Sequence, residues 1–431
     1  MMMLDFSVLW RRLPVLSGIG GLLLLNLVAV PASADPETVP TVVTIGQLLQ
    51  IVRNESPRYA VLLQHIETAR AEVVAAGVLP NPRISYGRYD LVSRVNTMYD
   101  GHVQQAVTLE VPVLISGQRG ARVEAAEKGV DAAAANVEAE YANIVHQTRL
   151  LFVKLLASQE RIAILDETVR EMERLAAIVT GRQQAGNASP YDVLRIGIEA
   201  KSVQTRLETA RNDLAGTTGD LGVLLGMPGW KPEAVGKLAV LGVPPDAQKL
   251  LAEAEVLNPD IEAARRSEAA ADAGLEKARR ERWPVPSLQI GSAFTDNPYG
   301  NTTFGGISVE VPIFDRNQGG MARAKAEKRT AVLERELVVS RTRVAIERAA
   351  GLLARRQETR VKFEKEVLGK LPDLKLMGES AYRLGKGTLL ELLDAYRSRT
   401  EMRLTELDLT QAETEAELDA LRASGLLLSY I

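Results

Sequence analysis

Hydrophobic and polar residues along the chain follow two rhythms. Over 107–113 they alternate: Val107, Leu109, Val111 and Val113 face one way, and Thr108, Glu110 and Pro112 the other. The rhythm returns with Ile307, Val309, Val311 and Ile313 set against Ser308, Glu310 and Pro312. Shorter alternations precede both, with Ile84 and Tyr86 against Ser85 and Gly87, and Leu288 and Ile290 against Gln289 and Gly291. The pattern predicts two strand pairs, at 83–113 and 287–313. Elsewhere the spacing is helical. After each strand pair comes a very long helical segment, 119–185 and 318–384, which at ~1.5 Å per residue reaches roughly 100 Å. A glycine, Gly186 or Gly385, then reverses the chain, since glycine tolerates positive φ, and another helix runs back.

These matches make the chain a duplication. Val107-Thr108-Leu109-Glu110-Val111-Pro112-Val113 reappears as Ile307-Ser308-Val309-Glu310-Val311-Pro312-Ile313. Ser56-Pro57 answers to Asn258-Pro259, Pro80 and Pro82 to Pro284 and Pro286, and the Gly186 turn to the Gly385 turn. Each repeat opens with a short helix; the first has a capping-box pair, Thr44 and Gln47. Its second helix starts at Ser56 or Asn258 as cap, with proline at the first helical position. The expected organisation is a first repeat over 35–228, a Gly- and Pro-rich connector over 229–245 and a second repeat over 246–431. The strands alternate as membrane strands do, apolar outward and polar inward, although a soluble hairpin alternates equally well. Four strands are too few to close a useful barrel, so they pack on something or several chains share one; three chains supply twelve. The hairpin tips, 90–102 and 295–303, are polar, as suits a solvent-facing end.

The N-terminus changes the compartment. Arg11 and Arg12 precede an apolar run over 15–30, then Ala32-Ser33-Ala34 and Asp35. This is the form of a secretory signal peptide, 1–34, cut after Ala34. Composition then excludes several function classes. Cysteine is absent, which excludes thiolate metal sites, cysteine nucleophiles and a lipidated N-terminal cysteine. The three histidines, His65, His102 and His146, lie far apart, so no metal site is expected. A formal charge of −3 gives no footprint for nucleic acid. Aromatics at 4% and long Ala-rich runs favour helices packed through small side chains. No nucleophile–base constellation or phosphate loop appears, so neither an enzyme nor a cofactor is expected.

Together, Leu79-Pro80-Asn81-Pro82, the twin strands ending in Glu-Val-Pro, and Ala185-Gly186 with Ala188-Ser189 and Asp192-Val193-Leu194 resemble the TolC-like outer-membrane efflux proteins. The resemblance covers essentially the whole chain after residue 34. Residues 76–82 and Gly117-Gln118-Arg119 are most similar to the cobalt–zinc–cadmium resistance branch, although 113–119 departs from that branch's usual Leu-Glu-Leu-Gly-Gly-Lys-Arg. The resemblance implies a mainly α protein with a membrane β-barrel contribution. It implies a homotrimer, with a 12-stranded barrel in outer-membrane lipid above an α-helical tunnel through the periplasm of a Gram-negative bacterium. The implied partners are a periplasmic adaptor (membrane fusion protein) and an inner-membrane pump of RND type, and the implied cargo is divalent heavy-metal cations. A drug-efflux or type I secretion duct is the alternative. A periplasmic adaptor or a structural coiled coil fits the duplicated strand pairs less well.

The same resemblance assigns residues. Glu391 and Asp394, three apart on one helix face, align with acids that ring the periplasmic constriction; solvated acids at a helix start are the plainer reading. Asp192 and Tyr382 align with a closed-state latch, while Gly387 stands where the family carries a further arginine tie. Gly186 and Gly385 shape the tips, and Leu384, Leu389, Leu390 and Leu392 are expected to meet the adaptor. Glu110 and Glu310 face the lumen if the apolar strand face meets lipid.

Overall fold

The computed structural model describes residues 40–90, 92, 103–296 and 300–430. The expected signal peptide, most of the 90–102 tip and His102 lie outside the described residues. The first half runs β1 (Val42–Val43), α1 (Ile45–Glu55), α2 (Pro57–Gly77), β2 (Arg83–Asp90), β3 (Val103–Pro112), α3 (Gln118–Gln184) and α4 (Pro190–Leu225). After β4 (Glu233–Ala234) the order returns as α5 (Ala247–Leu257), α6 (Pro259–Arg280), β5 (Pro286–Thr295) and β6 (Gly300–Val309). Then follow α7 (Gln318–Glu366), α8 (Leu371–Arg383) and α9 (Leu389–Ser424).

Local chemistry sets most boundaries. Thr44 and Gln47 form the expected capping box on α1. Asn258 caps α6, its side-chain oxygen accepting the N–H groups of Asp260 and Ile261 at 2.9 and 3.2 Å. Ser56 occupies the matching place before α2 but makes no cap bond, and its buried hydroxyl is unpartnered. Pro57 and Pro259 stand in the first turn, where a missing N–H costs nothing. The second hairpin tip is shorter than expected from sequence, because β6 already begins at Gly300.

The two strand pairs join into one antiparallel sheet in the order β2-β3-β5-β6, leaving β2 and β6 at its edges. Register aligns Ile84, Leu109 and Ile290 in one row and Val111, Leu288 and Ile307 in another. On the opposite face Arg83, Glu110 and Gln289 share a row. Exposure is inverted relative to a soluble sheet. Val107 and Leu109 are 49% and 38% exposed, whereas Thr108 and Glu110 beside them are half-buried. On the central strands β3 and β5 the apolar side is therefore the more exposed and the polar side the more sheltered, while on the edge strands β2 and β6 both sides are largely exposed.

Sheet passes to helix through matched left-handed residues, Gly117 at φ 74° and Asn317 at φ 55°. Each is followed by a glutamine whose side chain folds back onto the backbone N–H two residues before it: Gln118 to Ser116 at 3.1 Å and Gln318 to Arg316 at 2.7 Å. Asn317 offsets its unusual backbone by donating to the Ala278 carbonyl at 2.9 Å. Below this junction α3 packs against α2, α4, α6 and α9, and α9 also packs against α7 and α8. Apolar clusters follow one another down the helices: Val145, Ile346, Leu353 and Leu421, then Leu165, Leu207 and Leu404, then Met172, Val179, Leu392 and Leu393.

Two features go beyond the sequence expectation. The Gly- and Pro-rich connector over 229–245 is pinned to the helices. β4 pairs in parallel with β1, and Gln159 holds both polar groups of the Ala234 backbone. The fully buried Glu417 carboxylate accepts three successive N–H groups, from Leu241, Gly242 and Val243, at 2.6, 2.7 and 2.9 Å. The second long helix is also not continuous. It breaks between α7 and α8 at a short 3-10 turn, Leu368–Lys370. Gly369 weakens the helix there, and Pro372 supplies no N–H and starts a new one.

Candidate functional site

Apart from Glu110 and Glu310, the residues singled out from the sequence collect at the end of the helices farthest along the chain from the sheet, where α3 turns into α4 and α8 into α9. Gly186 and Gly385 both take positive φ, 76° and 69°. In each turn a backbone N–H reaches back to the last helical turn: Asn187 to Arg182 at 2.7 Å and Lys386 to Ala381 at 2.9 Å. Both return helices open with a reciprocal cap. The Asp192 carboxylate accepts the N–H and the hydroxyl of Ser189 at 2.9 and 2.8 Å, and Ser189 accepts the Asp192 N–H. Glu391 accepts the Thr388 N–H at 2.8 Å, and Thr388 accepts the Glu391 N–H.

Two of the expected gate acids therefore also fix their own helix starts, where a carboxylate favours the N-terminal dipole. Asp394 lies one turn farther on, exposed like Glu391, with Arg397 nearby. The sequence placed Asp192 against Tyr382. Among the described residues no hydrogen bond joins them: Asp192 serves its cap, and the Tyr382 ring lies under the Arg182 guanidinium, 4.8 Å from its centre. Gly387 has a steric reason. A Cβ there would meet Ala381 at 3.0 Å and the Glu391 carboxylate at 3.3 Å, so a larger residue requires these neighbours to shift by a few tenths of an ångström.

The tip leucines divide. Leu384 and Leu390 are 66% and 60% exposed and free to meet a partner. Leu389 and Leu392 are buried in the cluster that joins the two hairpins, with Ile196, Val203 and Tyr396. This corrects their expected place on the outer surface; helix periodicity turns them inward while Leu390 and Glu391 turn outward. Sequence reasoning missed Tyr191 and Leu194, both more than half exposed. Sliding one tip onto the other finds Tyr191, which aligns with Leu390, but not Leu194, which aligns with the buried Leu393.

Behind the tips lies a band of ion pairs. Arg399 binds Glu171 at 2.9 Å and Glu167 at 2.9 Å, and Arg403 binds Glu167 at 2.6 Å. Hydrogen bonding from Arg403, then Arg399, holds the Glu167 carboxyl down at about 2. Arg397 pairs with Glu199, and Arg206 with Glu401 at 2.7 Å, tying α4 to α9. Burial, reinforced by the hydrogen bond to Glu379, pushes the Tyr396 phenol far above its ordinary range. Glu110 sits half-buried on the sheltered sheet face, and Glu310 is exposed just beyond β6. His146 bonds Asp419 at 2.9 Å and His65 is exposed. Among the described residues no His, Cys, Asp and Glu side chains gather as metal ligands do.

The chain is similar to known proteins in sequence and in fold. The profile of a family described as outer membrane efflux protein matches residues 48–227. Cobalt-zinc-cadmium resistance protein CzcC of Cupriavidus metallidurans is 24% identical over 84% of this chain and 85% of its own length. Pyoverdine export outer membrane protein OpmQ of Pseudomonas putida is 25% identical over 91% of this chain and 87% of its own. The crystal structure of the outer membrane protein VceC from Vibrio cholerae superposes with a TM-score of 0.67 at 17% identity, covering 88% of this chain and 96% of that one.

Proposed function

The chain belongs to the outer membrane efflux protein family, and from that premise we propose that it is the outer-membrane duct of a tripartite export system. The inverted sheet carries this reading. Exposed apolar rows such as Ile84, Leu109 and Ile290 suit lipid, and the sheltered polar rows suit a wet lumen. An open four-stranded sheet cannot stand in hydrocarbon, where unpaired edge groups are costly, so copies must share one barrel. Three copies give twelve strands and a continuous helical tunnel. The duct performs no chemistry; an inner-membrane pump, of RND type, supplies the energy through a periplasmic adaptor that meets Leu384, Leu390 and the Gly186 and Gly385 turns.

The gate lies at the tips. Glu391 and Asp394 from three copies put six carboxylates around one axis. They attract cations and repel one another in a narrow space. Tyr382 and Asp192 take part as the tips rearrange, and Glu110 and Glu310 line the barrel. The cargo is divalent heavy-metal cations, in keeping with relatives named for cobalt, zinc, cadmium and nickel resistance. OpmQ, named for pyoverdine export, favours a second reading in which the cargo is a larger organic molecule and the pump alone selects it.

Single-channel conductance of the purified, reconstituted protein tests the duct and its gate, with wild type beside Glu391→Ala/Asp394→Ala. A wider opening, or lost divalent-cation block, in the double variant is expected. Failure to enter membranes at all sinks the duct. Metal sensitivity of a cell lacking the protein, restored by wild type, separates the metal cargo from the organic one.

A further inference from the structure

Between α3 and α8 the helices are not close-packed. No residue described along α8 is buried. The gap is a cavity of about 710 Å³, a volume that suits a small molecule and not a folded partner. Much of its wall is apolar. Leu175, Ile178, Leu376 and Leu392 line it, and Ile178 and Leu376 are 54% and 64% exposed. Side chains that face such a gap forfeit contacts that an apolar body would restore.

The charges lining the same cavity do not balance. Both of its carboxylates are engaged. Glu171 is held by Lys375 and by Arg399 at 2.9 Å, and Glu379 accepts from Tyr396. Three guanidinium groups remain, on Arg174, Arg182 and Arg383, and among the described residues none of them forms an ion pair. Arg174 donates to the Arg170 carbonyl, and Arg182 lies over the Tyr382 ring. Like charges gathered round one space raise one another's energy, and an anion relieves them. A guanidinium fork matches the two oxygens of a carboxylate.

We propose that this cavity binds a small amphipathic anion, an apolar body ending in a carboxylate. The body rests on Leu175, Ile178 and Leu376, and the carboxylate is held among Arg174, Arg182 and Arg383. The site goes beyond the duct reading and does not depend on it.

The test is direct binding to the purified full-length protein, with cinnamate as the probe and cinnamyl alcohol as its uncharged twin. Cinnamate is expected to bind wild type about tenfold more tightly than the alcohol, the scale of one charge-assisted hydrogen bond. Arg174→Gln/Arg383→Gln should erase that preference; both side chains are exposed, so their loss spares the fold. Arg174→Lys/Arg383→Lys should keep most of it. Ile178→Trp fills the cavity and should abolish binding of both molecules. The site is overturned if cinnamate does not bind wild type, if acid and alcohol bind alike, or if the Gln and Trp variants bind as wild type does. Conductance plays no part in this readout. A protein that binds cinnamate yet conducts in no variant keeps the site and loses only the duct.

Discussion

The two halves of this chain start from the same pattern and build different struts. α3 runs unbroken for 67 residues, whereas its counterpart divides into α7 and α8. Sliding one tip onto the other shows why. Leu175, 8% exposed, aligns with Leu374, 41% exposed, and the fully buried Val179 aligns with Gly378. α3 sits among four helices and buries several sides of itself; α8 touches chiefly α9. Propensity alone does not hold a long helix; packing along its length does. One half is a pillar and the other a jointed arm, and the duplicated sequence supplies both.

The contrast is broken most severely by moving the joint. Thr168 aligns with Val367, where α7 ends, and it is buried with its hydroxyl on the Ile164 carbonyl at 2.9 Å. Thr168→Pro should cost α3 about 3 kcal/mol or more, seen as loss of folded protein in the outer-membrane fraction. Normal assembly would mean that α3 tolerates a joint as its twin does. Glu417→Gln comes next. It removes charge from three N–H bonds and introduces a buried donor, an expected cost of about 2–3 kcal/mol by urea unfolding. Protease cuts should then concentrate over 226–246; an uncut connector would show that β1–β4 pairing and Gln159 suffice.

Healing the joint sharpens the contrast from the other side. Gly369→Ala/Pro372→Ala should gain about 1 kcal/mol from the glycine position alone and raise the melting temperature. A lower melting temperature would mean the break is required by packing. The smallest effect is electrostatic. The Glu167 carboxyl is depressed to about 2 in the folded chain. Its contribution is therefore complete above the unfolded carboxyl range near 4.5 and is lost as pH falls from there toward 2. Side-chain exposure of 42% keeps it modest. Melting temperature followed over that window should fall more steeply for wild type than for Glu167→Gln.

Much of the fold was legible beforehand, and the rest was not for specific reasons. Strand alternation fixed the hairpins because a period of two survives at either polarity of the surroundings; only burial reveals that the apolar side of Leu109 and Ile290 is outermost. The caps at Thr44, Asn258 and the two tips follow from short-range chemistry. The joint was hidden because a single glycine and a proline in a long polar helix read equally as a kink, a start or a tolerated defect. The Glu417 role was hidden because its three partners lie more than 170 residues away. At the tip, the sequence grouped the leucines by neighbourhood. Only the facing hairpin decides that Leu392 turns in and Leu390 out.

The open edges of the sheet set a dosage rule. Among the described residues β2 and β6 each have a free edge, so on the proposed duct reading a lone copy has no stable residence in the lipid layer. If copies share one barrel as proposed, folding in the bilayer and finding sister copies are one reaction of order higher than one. Halving synthesis should therefore cut the number of finished pores by more than half. A defective copy that still offers β2 or β6 would sequester sound ones. Variants that spoil the helices while sparing the strands should for that reason behave as dominant poisons, and variants that spoil the strands as silent recessives.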